Sequence, residues 1–333
     1  MNIEMYKNLK GAIPSPQDDR DFLVSQSANP IAYATVNTLT AYRTPIKLEI
    51  VNQGDIGCCV ACSLAYCRYI QEYGQSNNRL SFSIPFIYGN RLATDYQDEG
   101  MYPRQALSQL KKCGVPHSRY LSGFCDYPTA KALVDNNRST LSTYAEPFKI
   151  STYYRCNNAG DIKYAVYNYG AVSVMYPCFD ELYYPDINGY VKMPKNPRAS
   201  VSVHHQMTIV GWTEDNYWIV ANSWGTEWGD EGYCYIPFAY PFVEAWATTD
   251  IIEEVEYMKA TDFSDVKETH WAIDVLDEAV QSELLSGYED NTLRPDDNVT
   301  RAEVTTMFKR AGYLDAKNIL DRLERLEALI KQK

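Results

Sequence analysis

The 333-residue chain has no run of about 18 consecutive apolar residues, the length a membrane-spanning helix needs. Its first ten residues, MNIEMYKNLK, lack the apolar core of a secretory signal. Membrane insertion is therefore not expected, and no export signal is recognisable. Positive charge is also scarce, with 31 Lys and Arg against 43 Asp and Glu for a net charge of −12. A phosphate-binding surface, and with it nucleic acid as a partner, is not expected from such a balance. Most of the excess lies in residues 251–333, which hold 19 acids against 11 bases. Histidine is rarer still, with only His117, His204, His205 and His270. No Cys/His cluster has the spacing of a metal site, so neither metal nor cofactor is expected. No internal repeat or low-complexity tract is visible.

What is present suggests one large domain and one small one. GAIPSPQDDRDF, residues 11–22, is rich in Pro and Asp without periodicity and reads as an extended strap within an N-terminal extension, residues 1–43. CVACSLAYCRYIQEYG carries small and apolar residues at helical spacing and predicts a helix starting close to Cys59. YPRQALSQLKKCG predicts a second, with Ala106, Leu107 and Leu110 on one side and Gly114 as its stop. From about residue 146, runs such as GAVSVMYP, HHQMTIVGW and NYWIVANSWG are β-branched and aromatic, separated by Gly, Asn and Asp. That half predicts a β-rich lobe. Residues 251–260 read as a charged linker, followed by two helices around the turn EDNTLRPDD.

Nine cysteines, an odd number, leave at least one thiol outside any intramolecular disulfide, and their spacing argues for reactivity more than stapling. Three fall within NQGDIGCCVACS, residues 52–63. A nucleophilic thiol must ionise near neutral pH, which a helix N-terminus and a nearby imidazolium both favour. Cys59 stands at the expected helix start, whereas Cys62 and Cys67 lie one and two turns further in, where small apolar residues pack. A redox reading of Cys59-Val-Ala-Cys62 lacks the βαβ context. The adjacent pair His204 and His205 lies in a strand-like run, where neighbours face opposite sides, so one of the two can face a cleft. Asn222 in NSWGTEWGDEGY is the candidate third group that orients the ring.

With these flanks, the order Cys, His, Asn resembles the papain-like cysteine peptidases over roughly residues 44–250. The resemblance implies an α+β fold of two lobes, one helical and one β-rich. In its register Cys59 is the nucleophile, Gln53 the side-chain donor of the oxyanion hole, His205 rather than His204 the base, and Asn222 its orienter. Trp224 is the indole that shields the Asn–His hydrogen bond. GMYPRQALSQLKKCGV is similar to the family's substrate-binding loop and following helix, which makes Gly100 a substrate-site candidate. Val203, Gln206 and Met207 flank the catalytic histidine and are candidates for a pocket wall. The sequence departs from the family at Val60, where an aromatic is usual, and at Cys58, Ile56 and His204.

FSDVKETHWAIDVLDEAVQSELLSGYEDNTLRPDDNVTRAEVTTMFKRAGYL, residues 263–314, resembles an S-layer homology (SLH) domain, a small all-α module assigned here to residues 261–314. Thr300 and Glu303 form a capping box for its second helix, and Asn291 occupies a turn position that usually requires positive φ. Trp271 and Tyr288 are expected in its core. The resemblance implies binding of cell-wall polysaccharide with Arg301 as the ligand residue. A structural reading, in which Arg301 only caps and pairs on the helix surface, stands beside it.

Together these expectations describe a cysteine endopeptidase acting on protein or peptide, held at a bacterial surface or carried by a phage particle. The alternatives are a papain-fold adhesion or structural protein without activity, and a Cys-His hydrolase of cell-wall peptides. The tail, residues 315–333, places Ile319, Leu323, Leu326 and Ile330 at coiled-coil spacing, which would let a homotrimer gather three modules; the same helix could equally cap its own module.

Overall fold

The computed structural model describes residues 3–7, 9, 11–76, 80–91, 100–250, 259–281, 284–288 and 290–310. The chain divides into two compact units, residues 1–252 and 253–333. Among the described residues no helix is long and apolar enough to cross a membrane.

The first unit opens with the strap, then α1 (Val24–Ser27), α2 (Pro30–Asn37) and the short strand β1 (Tyr42–Arg43). Its helical lobe comprises α3 (Cys59–Ser76), α4 (Ile84–Gly89), α5 (Pro103–Cys113), α6 (Tyr127–Asn136) and α7 (Arg138–Ala145). The β lobe follows with β2 (Ile150–Arg155), α8 (Ala159–Tyr169), β3 (Val172–Pro177), α9 (Asp180–Tyr183), β4 (His204–Trp212), β5 (Tyr217–Ala221), β6 (Tyr233–Pro237) and β7 (Glu244–Asp250). Its strands form one antiparallel sheet in the order β2-β7-β3-β4-β5-β6, and β1 pairs with β4.

Local chemistry accounts for the ends that matter. Helix α5 starts with Pro103 at its first turn and stops at Gly114, whose φ is +70° and whose missing Cβ would lie 1.9 Å from the Ala145 carbonyl oxygen. Only glycine fits there. The sheet separates its side chains by the period of two. Val172, Val174 and Tyr176 of β3, Met207 and Ile209 of β4, and Ala245 and Ala247 of β7 enter one core. The opposite face meets α3, where Ser63 hydrogen-bonds Ser173 (2.7 Å), Thr208 (2.8 Å) and the Met207 carbonyl (2.8 Å). Arg68, fully buried on the same helix, pairs with Glu72 and with Asp250 at the end of β7. Such a pair adds little net stability but is costly to break singly, so it pins the helix in one position.

The N-terminal extension is part of this core. Val24 and Val36 are buried in the β-lobe cluster, Tyr33 donates to Asp161 (2.9 Å), and Asp21 pairs with Arg104 and Arg155.

In the second unit α10 (Ile273–Gln281) and α11 (Arg301–Arg310) accompany a small core of Ala260, Phe263, Val266, Leu276, Val280 and Leu293. Ala260, expected in the linker, is a core residue of this unit. The capping box is present, with Thr300 N–H donating to Glu303 Oε2 (2.6 Å) and Glu303 N–H to Thr300 Oγ1 (3.2 Å). Asn291 has φ +59°. Trp271 and Tyr288 are not core residues: Trp271 is 87% exposed and Tyr288 42%. Trp271 precedes α10 and stacks on His270, while Tyr288 bonds Glu303 through its hydroxyl and lies under the Arg294 guanidinium. Residues 251–258 of the expected linker and the tail, with its coiled-coil seam, lie outside the described residues.

His117, buried between Phe82 and Phe148, titrates near pH 3 because burial disfavours its charged form. The unfolded chain binds that proton from about pH 6.5. Stability held above pH 6.5 should therefore fall as pH drops toward 3, by up to about 1.4 kcal/mol per unit. His117→Phe should flatten this part of the profile in thermal unfolding followed from pH 7 to 4.

Candidate active site

Helix α3 begins at Cys59, so the thiol sits at its N-terminus as expected, with Cys62 and Cys67 buried further along. Strand β4 begins at His204 and brings His205 to the same cleft. The segment after β5 supplies Asn222, whose Oδ1 lies 2.6 Å from His205 Nε2 and also accepts from Ser223 N–H (2.8 Å). An amide oxygen only accepts, so Nε2 carries the proton and Nδ1 is the free basic nitrogen. Trp224 stacks on the imidazole at 4.5 Å and covers that hydrogen bond from water.

Gln53 is buried with its side chain tied at both ends: Nε2 donates to Ile56 O (2.7 Å) and Oε1 accepts from Ser223 Oγ (2.5 Å). One amide N–H remains for the cleft. The Gln206 backbone N–H approaches Cys59 Sγ at 3.5 Å.

The expected substrate residues divide. Gly100, with φ +107°, precedes Met101, whose backbone is bonded as described below. Val203 accepts from Cys178 N–H (3.0 Å) and packs against the β-lobe core. Gln206 faces the helical lobe, donating from Nε2 to Ser173 Oγ (2.8 Å). Met207 is not a pocket residue, because the alternation along β4 sends it into the core on the other face of the sheet. Arg301 is exposed at the start of α11.

The sequence leaves open whether the strap occupies the cleft; in the structure the cleft is filled by the chain itself. The N-terminal extension enters it: Tyr6, ahead of the strap, stacks on Trp224 (4.7 Å) and donates to Asn52 Oδ1 (2.9 Å). Gly11 then lies against the thiol, and the backbone pairs with Met101 through Ile13 N–H to Met101 O (2.9 Å) and Met101 N–H to Gly11 O (3.1 Å). Between Leu9, Gly11, Gln53, Cys59 and His205 no space for a water remains. The chemistry of both groups follows from this covering. Burial pushes the Cys59 thiol well above its ordinary range and lowers His205 to about 4, against a smaller opposing effect from Asn222. Under the strap the pair is held as neutral thiol and neutral imidazole.

Among the described residues no group of three or more His, Cys, Asp or Glu gathers as a metal site would.

Residues 41–240 match the family described as papain family cysteine protease, and residues 262–305 match the S-layer homology domain. A peptidase C1-like protein of Acanthamoeba polyphaga mimivirus is 29% identical over 63% of this chain and 71% of its own length. A gut-specific cysteine proteinase of Caenorhabditis elegans is 28% identical over 40% of this chain, and the match spans 46% of that protein. Among solved structures, xylellain, a cysteine protease from Xylella fastidiosa, superposes with a TM-score of 0.62 at 20% identity, covering 74% of this chain and 97% of that one. The cysteine protease and lectin-like domains of Cwp84, a surface layer associated protein of Clostridium difficile, superpose with a TM-score of 0.54 at 17% identity, covering 64% of this chain and 52% of that one.

A Cβ at position 11 would stand 2.6 Å from Cys59 Sγ, closer than real contacts allow. Gly11→Ala should thus lift the strap from the thiol, and an overpacking cost of about 1–3 kcal/mol corresponds to roughly fivefold to 150-fold in accessibility. Iodoacetamide labelling of Cys59, mapped by mass spectrometry in the full chain, should accelerate by that factor.

Proposed function

The chain belongs to the papain family of cysteine proteases, and on that premise we propose that it is an endopeptidase using Cys59, His205 and Asn222, latent while the strap fills its cleft. The observation that carries this reading is the 2.6 Å bond between His205 and Asn222 under the Trp224 indole, opening on the same cleft as a cysteine at a helix N-terminus. With the strap displaced, water re-enters and the α3 N-terminus favours thiolate paired with imidazolium.

Cys59 Sγ then attacks a peptide carbonyl carbon, forming a C–S bond as the carbonyl electrons move to oxygen. The remaining Gln53 amide N–H and the Cys59 backbone N–H hold that oxyanion; a donor there is typically worth about 3 kcal/mol. The oxyanion collapses, the C–N bond breaks and His205 gives its proton to the departing amine. His205 next takes a proton from water, which attacks the thioester and releases the acid, returning the proton to sulfur. Asn222 keeps Nδ1 directed at the thiol throughout.

The match to the SLH domain supports a second role, retention at a cell surface through wall polysaccharide, with Arg301 as the exposed cation. The surface-layer association of Cwp84 is consistent with that pairing of parts.

Cys59→Ala should abolish both casein hydrolysis and labelling by an epoxide inhibitor, whereas Cys58→Ser and Cys62→Ala should retain most of each. Asn222→Ala should lower turnover with little change in thermal unfolding. Turnover surviving in Cys59→Ala would overturn the assignment, and activity on purified peptidoglycan but not casein would redirect it to wall peptides. For the module, co-sedimentation of the full chain with purified walls should weaken in Arg301→Ala if polysaccharide is its ligand.

A further inference from the structure

Cys59, Ser63 and Tyr66 stand at positions i, i+4 and i+7 of α3 and so share one face of the helix. Cys59 is the thiol at the helix start, and Ser63 ties that face to β3 and β4. Tyr66 reaches a different part of the β lobe, the segment that follows β5.

The Tyr66 ring is buried, and its hydroxyl is used twice. The oxygen accepts from Val51 N–H at 2.8 Å. The O–H is directed at the Asn222 carbonyl oxygen, to which it donates at 3.3 Å. These roles are forced, because a backbone N–H can only donate and a carbonyl can only accept. Val51 is itself anchored beside Asn222, since its carbonyl accepts from Gly225 N–H (2.9 Å) while Gln53 N–H donates to Ser223 O (2.8 Å).

Asn222 depends on how its backbone is held. Its side chain accepts from His205 Nε2–H and Ser223 N–H through Oδ1, and its Nδ2 has no hydrogen-bond partner among the described residues. The amide is thus aimed from one end only, and the backbone beneath it supplies the rest of the aim. There the Asn222 N–H donates to Gly232 O (3.0 Å), and the carbonyl accepts from Tyr66. The first bond fixes Asn222 relative to the lobe that carries His205. The second fixes it relative to the helix that carries Cys59.

We propose that Tyr66 is a positioning residue for the peptidase reaction: its hydroxyl holds Asn222 so that the His205 ring stays aimed at the thiol. The inference rests on the peptidase reading above and adds to its machinery a residue that does not line the cleft. A ring turned by a misplaced Asn222 leaves substrate binding unchanged, so the loss falls on turnover.

The test compares Tyr66→Phe in two backgrounds of the full chain, both carrying Gly11→Ala, one with Asn222 and one with Asn222→Ala. Phe keeps the buried ring and removes one oxygen. With Asn222 in place, kcat on a peptide anilide should fall by about tenfold and KM should change by less than about twofold, the scale of a sub-ångström misplacement. In the Asn222→Ala background the same substitution should cost less than about twofold, because the group it positions is gone. The rate of epoxide labelling at Cys59 should show the same coupling and decides the comparison where Asn222→Ala turns over slowly. An equal loss in both backgrounds, as a folding defect or a role at Gln53 gives, overturns the assignment, and so does Tyr66→Phe turning over as its parent does. Either result leaves the peptidase standing. Absence of hydrolysis by the parent with Asn222 overturns the peptidase reading and the positioning role with it.

Discussion

The seam where α3 lies against β3 and β4 is the constraint on which the rest of the site depends. A cysteine at the start of a helix and a histidine near the start of a strand belong to different lobes, and each lobe could fold well without aligning them. The buried hydroxyls of Ser63, Ser173 and Thr208 remove that freedom, because each must find a partner across the seam or remain unsatisfied in a dry interior. Arg68 repeats the device further along the helix with charge. Directional groups are better suited to this than apolar ones, since a hydrophobic seam tolerates sliding and a hydrogen-bond network does not.

The strap works on the same site through desolvation. Blocking the cleft with a backbone would by itself only exclude substrate. By sealing it, the strap also removes the solvent that an ion pair needs, so thiol and imidazole are both driven to neutrality. On the reading proposed above, access and reactivity are lost together. The far end of the strap and the rest of the N-terminal extension are held differently: Asp21 is gripped by two arginines, and Val24 and Val36 are embedded in the β-lobe core. The extension thus combines a segment integral to the fold with a segment that lies in the cleft.

The second unit follows a simpler logic. Short-range signals decide most of it: the Thr300–Glu303 capping box starts α11, and Asn291 takes the positive φ its turn demands. Trp271 departs from expectation because helix α10 starts after it, and a residue outside the helix is not carried by the apolar stripe into the core.

By itself the sequence determined what local chemistry and pattern carry. The helix start at Cys59, the stop at Gly114, the β-rich second half and the grouping of Gln53, Cys59, His205 and Asn222 as candidates were all legible from spacing, flanks and family resemblance. Tertiary structure decided everything that depends on which distant segments become neighbours. The seating of Gly11 on the thiol joins positions 48 residues apart in a stretch with no periodicity to betray it. Met207 and Gln206 are adjacent in sequence, and only the pleat of β4 sends one into the β-lobe core and the other to the face that packs against α3. Glu244 carries no local signal at all; long-range pairing alone buries its carboxylate and sets it against the Ser15 N–H of the strap. Pattern reports the environment a residue prefers, whereas long-range pairing determines the one it receives.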